Sequence, residues 1–521
     1  MRPRIRPRAM GAAEASRCGT SIPRVPGRTS SEWELVTDWM GVVADLSGTA
    51  GLLGFDRETL MPPAGAEGRA RQLGTLAALH HREIVREDAG EALAALAADG
   101  ELDDDARAAL RLATRERDRA MRVPEALVRE ISEACSRCVS AWADARAADD
   151  FGAYAGPLAQ VVALKRCEAE AIGIGDEPYD ALLDAYEPGA RAAELVPVFA
   201  DLRARLTPLV AEASRAPETI LPVREWAEDG QMALAREIAE MVGFDMSAGL
   251  IARSAHPFTG SPHRGDVRFT TRLSPQSPLG SISAVMHELG HALYEQGFPA
   301  SANRTPVYDA PSLGAHESQS RFWENQIGRT AAFWERLEPA MRRVFPTAMS
   351  GIDAALLHRA SRVVRPSEIR VEADEVTYNL HIVLRFQIEL ALVRGDLDVV
   401  DLPGAFSDGM QELLGIRPPT DALGAMQDIH WADGLFGYFP TYTLGNLYAA
   451  QLAEAAEREL GDLEHAIAEG RFAQILGFMR ERVHRHGARM PTRDLMRAAT
   501  GAELGPDALI AHLERSYITP G

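Results

Sequence analysis

The sequence predicts a mostly α-helical protein, a large multi-helix single domain with lobes around a cleft and a small β-sheet beside one central helix. Three observations carry this. Ala, Leu, Glu and Arg dominate the 521 residues, while aromatic residues make up only 6%. Long stretches such as Glu101 to Arg119 and Arg191 to Arg215 place apolar residues at helical spacing. One segment, Asp266 to Leu273, instead alternates Val267, Phe269, Thr271 and Leu273 with polar residues, as a half-buried strand does.

Taken from the N-terminus, residues 1–30 carry Arg2, Arg4, Arg6, Arg8, Arg17, Arg24 and Arg28 among Pro, Ser and Gly, with no periodicity and no apolar core of a secretory signal. They are expected to be a disordered Arg-rich extension, with an over-long start of the reading frame or a transit peptide as the alternatives. From Ser31 onward helix follows helix, separated by turn signals such as Met61-Pro62-Pro63-Ala64-Gly65 and Glu187-Pro188-Gly189. No Pro/Ser-rich linker interrupts residues 31–521, which are therefore read as one domain. Cys135 and Cys138 could be half of a zinc site or a redox pair, but no second pair exists and their flanks read as one amphipathic helix carrying two thiols.

Composition excludes several function classes. A formal net charge of -20 repels a phosphate backbone, so nucleic acid is not an expected partner. No run of about 18 apolar residues is present to span a membrane. Four cysteines are too few for a disulfide framework in a chain of this length, which fits a reducing, cytoplasmic setting.

The chemistry is concentrated in His287-Glu288-Leu289-Gly290-His291, an HExxH pattern within the apolar helical stretch Ile282 to Tyr294. A spacing of four puts both imidazoles on one helix face, one turn apart, where they can bind a single Zn2+. Glu288, offset by one residue, is suited to hold water and take its proton as general base. Catalytic zinc takes a third protein ligand. Glu317, in His316-Glu317-Ser318-Gln319-Ser320-Arg321, heads a helix running through Phe322, Trp323 and Ile327 and supplies it. Co2+ would satisfy the same ligands. The strand at Asp266 lies just upstream, where an edge strand could pair with an extended substrate; an ordinary hairpin is the alternative.

Together with His256-Pro257-Phe258, Asp266-Val267-Arg268-Phe269-Thr270, Ile369-Arg370-Val371-Glu372-Ala373-Asp374 and Gly424-Ala425-Met426-Gln427-Asp428-Ile429-His430-Trp431, continued by Gly437-Tyr438-Phe439-Pro440-Thr441-Tyr442, these motifs resemble those of the carboxypeptidase Taq family. The resemblance runs from about Trp33 to the C-terminus. Phe55-Asp56 is a conservative departure from the family's Trp-Asp. The resemblance implies a mostly α-helical, homodimeric metallocarboxypeptidase, built around a deep groove, that removes single residues from peptides with a free C-terminus, with broad specificity and little release of proline.

Such an enzyme needs a fixed donor for the substrate carboxylate. Arg370 leads, against the alternative of an ion pair with Glu372 or Asp374; Arg268 could share the task, with Asp266 as its alternative partner. Tyr438 and His430 are candidate donors to the oxyanion, although either could be a packing residue. His256 is read as a substrate donor or a group behind the ligands, or else as a buried turn histidine. Asp374 or Glu324 could orient a ligand imidazole. The rival readings are a zinc endopeptidase or peptidyl-dipeptidase and a metal-stabilised scaffold.

Overall fold

A computed structural model describes residues 31–97 and 102–518. The Arg-rich segment 1–30, and with it the expectation of disorder, lies outside the described residues. Helices dominate, as composition requires, and three short strands form the sheet.

The expected helix near Glu101 is Asp104–Arg122, started by Asp103, whose carboxylate accepts from the Ala106 amide and satisfies one of the free N–H groups of the first turn. The stretch beginning at Arg191 forms Ala192–Ala213. Cys135 and Cys138 lie buried on the helix Glu125–Ala148 as free thiols; burial raises both, Cys138 to about 12. Neither belongs to a metal-ligating group among the described residues.

Among the described residues most buried apolar side chains fall into two cores. Helices Ser31–Thr59, Ala66–Ile84, Glu87–Ala97 and Asp104–Arg122 enclose a small one around Trp39, Leu93 and Leu110. The remaining helices and the sheet share the large one. Leu279–Gly297, which carries the HExxH pattern, runs through it. Leu289 and Leu293 are fully buried on the side away from the imidazoles, and each contributes roughly 1.5–3 kcal/mol of burial that holds the helix in place.

The sheet consists of β1 (Gly249–Arg253), β2 (Thr259–His263) and β3 (Asp266–Thr271) in the order β1-β3-β2. The strand read from the sequence, β3, stops two residues before Leu273 and is central, parallel to β1 and antiparallel to β2. The expectation of an edge strand there is corrected: both edges of β3 are paired, and Val267 and Phe269 are wholly buried in the large core on the face that meets Leu279–Gly297. An edge falls to β2, whose Thr-Gly-Ser-Pro-His composition reads as a turn, and Pro262 is tolerated on it because an edge strand can spare a donor. The helix Ser31–Thr59 lies along β2. A Cβ at Gly48 would come within 2.7 Å of the Pro262 carbonyl oxygen.

A second correction concerns the helix expected from Glu317 through Ile327. The α-helix is Leu313–Arg321, with Glu317 in its middle and Ser312 capping the Ala315 amide at 3.0 Å; Phe322–Ile327 is a π-helix, widened by one residue per turn. Glu324, the first acid of that wide turn, faces the HExxH helix.

Candidate active site

His287 and His291 stand one helical turn apart with ring centroids separated by 5.0 Å. Glu317 reaches them from the second helix, its Oε2 lying 3.6 Å from His287 Nε2 and 3.4 Å from His291 Nε2. Ligands at about 2.0–2.2 Å from a tetrahedral Zn2+ lie about 3.3–3.6 Å from one another, so the donor set fits such an ion. It is the one His/Cys/Asp/Glu group of this kind among the described residues.

The helices meet closely because two positions lack side chains. A Cβ on Gly290 would lie 2.4 Å from the Gln319 carbonyl oxygen, and one on Gly445, in the helix Pro440–Leu460, 2.4 Å from Glu317 Cγ. Glu317 is further held by Arg321, whose Nε donates to Oε1 at 2.7 Å, and by the Ser320 hydroxyl, which donates to Oε2 at 3.0 Å. Burial opposes its charge, but Arg321 and His287 hold the carboxyl well below the usual range, so Glu317 is an anion ready to ligate.

Each imidazole is anchored through Nδ1, which leaves Nε2 for a metal. His287 Nδ1 is 2.8 Å from Glu324 Oε2, and Glu324 also accepts from Ser283 Oγ at 2.6 Å. Of the two carboxylates expected to do this, Asp374 is instead occupied with the Arg365, Val376 and Thr377 amides. His291 Nδ1 is 2.6 Å from His316 Nδ1, and His316 Nε2 is 3.1 Å from Glu295 Oε1. Burial pulls His287 down, but the Glu317 charge and the Glu324 hydrogen bond outweigh it and push the ring up to about 9. Burial and the neighbouring His316 lower His291 to about 4.

Glu288 is buried beside the pair and accepts from Thr259 Oγ on β2 at 2.7 Å. Burial raises its carboxyl above the usual range, opposed by the His287 charge and the Thr259 bond.

One wall of the site is aromatic. The Tyr438 ring lies 5.1 Å from Tyr186, 5.4 Å from Tyr442 and 5.5 Å from His430, each edge to face. Burial and then the Glu317 charge raise the Tyr438 phenol, which keeps it a neutral donor. His430 stacks on Phe439 at 4.5 Å with Nε2 3.3 Å from the Tyr442 hydroxyl. Its buried Nδ1 has no hydrogen-bond partner among the described residues. The segment Gly437 to Tyr442 turns into a helix at Pro440, which places Tyr442 in the first turn.

Arg370 is almost fully buried, and its partner is neither Glu372 nor Asp374. Its Nη2 donates to Asp428 Oδ1 at 2.8 Å and its Nη1 to the Tyr378 hydroxyl at 3.1 Å. Arg385, wholly buried, donates from Nε to the other Asp428 oxygen at 2.7 Å. Two guanidinium groups thus share one carboxylate and leave one positive charge in excess. Tyr378 links this triad to the candidate metal site, because Arg321, which donates to Glu317, lies over its ring at 4.6 Å.

The profile of the carboxypeptidase Taq (M32) metallopeptidases matches residues 36–517. Thermostable carboxypeptidase 1 of Thermus thermophilus is 42% identical over 489 residues, covering 91% of this chain and 96% of that protein. The chain belongs to the M32 family. Carboxypeptidase 1 of Bacillus subtilis is 35% identical, covering 92% of this chain and 97% of that one. The crystal structure of the M32 carboxypeptidase from Deinococcus radiodurans superimposes with a TM-score of 0.92 at 36% identity, over 94% of this chain and 99% of the other. The chain is accordingly a metallocarboxypeptidase, and the metal ion that its family implies has a candidate site in the His287, His291, Glu317 group.

In this M32 enzyme two candidate residues take other positions. Arg268 is held by Asp266 through Nε at 2.6 Å and Nη2 at 2.7 Å and lies over the Phe55 ring at 5.3 Å. His256 is exposed between β1 and β2, contrary to the reading as a buried turn histidine, and its carbonyl accepts from Ser254. Sequence reasoning missed His316, Glu295 and Thr259 around the ligands and Arg385 and Asp428 behind Arg370. His316 and Asp428 stood inside recognised motifs, which was the available signal. Arg385 had none.

Proposed function

We propose that this M32 metallocarboxypeptidase uses zinc, with cobalt as an alternative, to release single residues from the free C-terminus of peptides, with broad specificity and little release of proline. The observation that carries the reading is the pairing of an open His287, His291, Glu317 group with a buried general base and, one aromatic ring away, the excess positive charge of Arg370, Asp428 and Arg385. Any metallopeptidase needs the first part. The second suits a substrate that ends in a carboxylate, since a buried guanidinium without its full counter-charge gains most from a bidentate anion.

A divalent metal bound by the three ligands would supply Lewis-acid polarisation of the scissile carbonyl and would acidify the attacking water. Glu288, its affinity for protons raised by burial, takes the proton from that water and returns it to the leaving amine. Tyr438, kept neutral, donates to the developing oxyanion, with His430 beside it in the same aromatic wall. Arg370 fixes the terminal carboxylate, and Arg385 with Asp428 fixes Arg370. Arg268 and His256 keep a proposed part in substrate binding from the sheet side. We further propose a homodimer working in the cytoplasm; the three free cysteines among the described residues support a reducing setting, and sedimentation would test the dimer.

The test uses a defined peptide blocked at its N-terminus, incubated with and without chelator and read by mass spectrometry. Stepwise loss of single C-terminal residues, abolished by chelator and restored by Zn2+ or Co2+, is expected. Dipeptide products or internal cuts would replace this reading with a peptidyl-dipeptidase or endopeptidase.

A further inference from the structure

Glu389 is a buried carboxylate that the chemistry above does not use. It lies on the helix Tyr378–Arg394, wholly shielded from solvent, and no lysine or arginine among the described residues forms an ion pair with it. Three neutral donors converge on it instead. Oε2 accepts from the Tyr179 hydroxyl at 2.7 Å and from the Gly437 amide at 3.1 Å, while Oε1 accepts from Trp431 Nε1 at 3.1 Å. Among side chains of this size only a carboxylate is purely an acceptor, so glutamine could not serve all three. Burial pushes its carboxyl up to about 7, against these three hydrogen bonds and the charge of Arg385 one helical turn away, which makes a carboxylate a demanding way merely to fill a core position.

The positions of the donors are informative. Trp431 directly follows His430, and Gly437 directly precedes Tyr438. Glu389 therefore ties the turn from both ends, at the neighbours of the two residues assigned to the oxyanion. The turn is also pressed onto the helix Pro178–Leu183, which supplies Tyr179: Gly437 has φ +89°, and a Cβ there would lie 2.7 Å from the backbone of Leu182 and Leu183. Tyr186, just beyond that helix, contacts the Tyr438 ring.

We infer that Glu389 is a positioning residue, acting through the Gly437 amide to hold the Tyr438 hydroxyl where the oxyanion develops. The inference rests on the role proposed for Tyr438. Loosening the turn would misplace the donor in the transition state while leaving the ground-state grip on the terminal carboxylate, which belongs to Arg370, unaltered.

The test is a double-mutant cycle of E389Q and Y438F, with kcat, KM, metal content and thermal unfolding measured for each metal-loaded variant. A misplacement of about 1 Å costs on the order of 100-fold, so E389Q is expected to lower kcat by about 10- to 100-fold, with KM within about twofold and metal content unchanged. In the Y438F background the same substitution should change kcat by less than about threefold, because the group it positions is gone. An unchanged kcat in Y438F alone would overturn the role of Tyr438. A loss in Y438F with none in E389Q would overturn only the role of Glu389, as would an equal loss from E389Q in both backgrounds. Should E389Q not fold, Y179F removes one donor and leaves the carboxylate on the turn. It is expected to lower kcat severalfold at constant KM, and an unchanged kcat there would overturn the inference.

Discussion

His316 Nδ1 lies 2.6 Å from Nδ1 of His291, and the two rings face each other at 4.5 Å with a tilt of 35°. Only one of these nitrogens can carry the shared proton. When His291 binds a metal through Nε2, its Nδ1 is the donor, His316 accepts, and His316 Nε2–H passes the chain on to Glu295. H316F keeps a ring but removes the acceptor. Metal affinity should fall by about 10- to 100-fold, the usual effect of losing a partner of a ligating histidine, as read by competition with a chromogenic chelator. Wild-type affinity would sink this assignment.

Glycine at 445 has a direct consequence for the third ligand. In most helix interiors Gly→Ala stabilises by about 1 kcal/mol. Here the added methyl would fall 2.4 Å from Glu317 Cγ, a contact no side chain accepts, and overpacking of this kind costs about 1–3 kcal/mol. The clash wins. G445A should lower the unfolding temperature and displace Glu317, lowering bound metal; retention of full metal at equal stability would contradict the packing argument.

The bond from Thr259 to Glu288 favours the ionised carboxyl, while burial works against it. T259V removes the favourable contribution, so the Glu288 pKa should rise further. Because the base acts only when deprotonated, the acid limb of the kcat/KM profile should move to higher pH, with the alkaline limb unmoved. E288Q removes the proton acceptor altogether and should lower kcat by at least about 100-fold while metal content stays at the wild-type level.

What could be read from the sequence depended on how local each signal is. His287 and His291 are fixed by the geometry of one helix, and Glu317 follows because a ligand helix must come back to them; both were legible from spacing. The partner of Arg370 was not, since Asp428 lies 58 residues away and its second guanidinium, Arg385, another 43 residues from it on a helix whose buried face shows no amphipathic pattern. The strand β2 was hidden because edge position tolerates Gly, Ser and Pro, residues that otherwise signal turns. The π-helix after Arg321 differs from an α-helix in where the Gly328 amide bonds, to Trp323 rather than Glu324, and no residue type announces that choice.

Arg370 and Arg385 make opposite demands on Asp428 variants and Arg370 variants. D428N leaves two buried guanidinium groups without a counter-ion, and losing one partner of a buried ion pair costs about 3–5 kcal/mol, so a large drop in stability is expected. R370M leaves the Arg385 and Asp428 pair balanced and should fold. Its defect should appear in catalysis: kcat/KM for a peptide with a free C-terminus should fall by about 100-fold or more, with residual activity no longer favouring the free acid over the C-terminal amide. A preserved preference for the free acid in R370M would move the carboxylate site elsewhere.

Glu187 supplies the last prediction. Wholly buried, it accepts from the Gly314 amide at the start of the helix that carries Glu317, and burial pushes its carboxyl up to about 7, against the pull of the Ser312 and Gly314 hydrogen bonds. An acid whose pKa is higher in the folded chain than in the unfolded one binds more protons when folded. Its contribution to stability is therefore complete below the ordinary glutamate range and is lost as pH rises through about 7. Urea denaturation of the wild type between pH 5 and pH 8 should include a loss on the order of 1–3 kcal/mol from this group. E187Q, which cannot titrate, should flatten that part of the profile while the rest of the pH dependence remains. Parallel profiles for the two proteins would mean that Glu187 stays ionised throughout, held as a charged cap on the ligand helix.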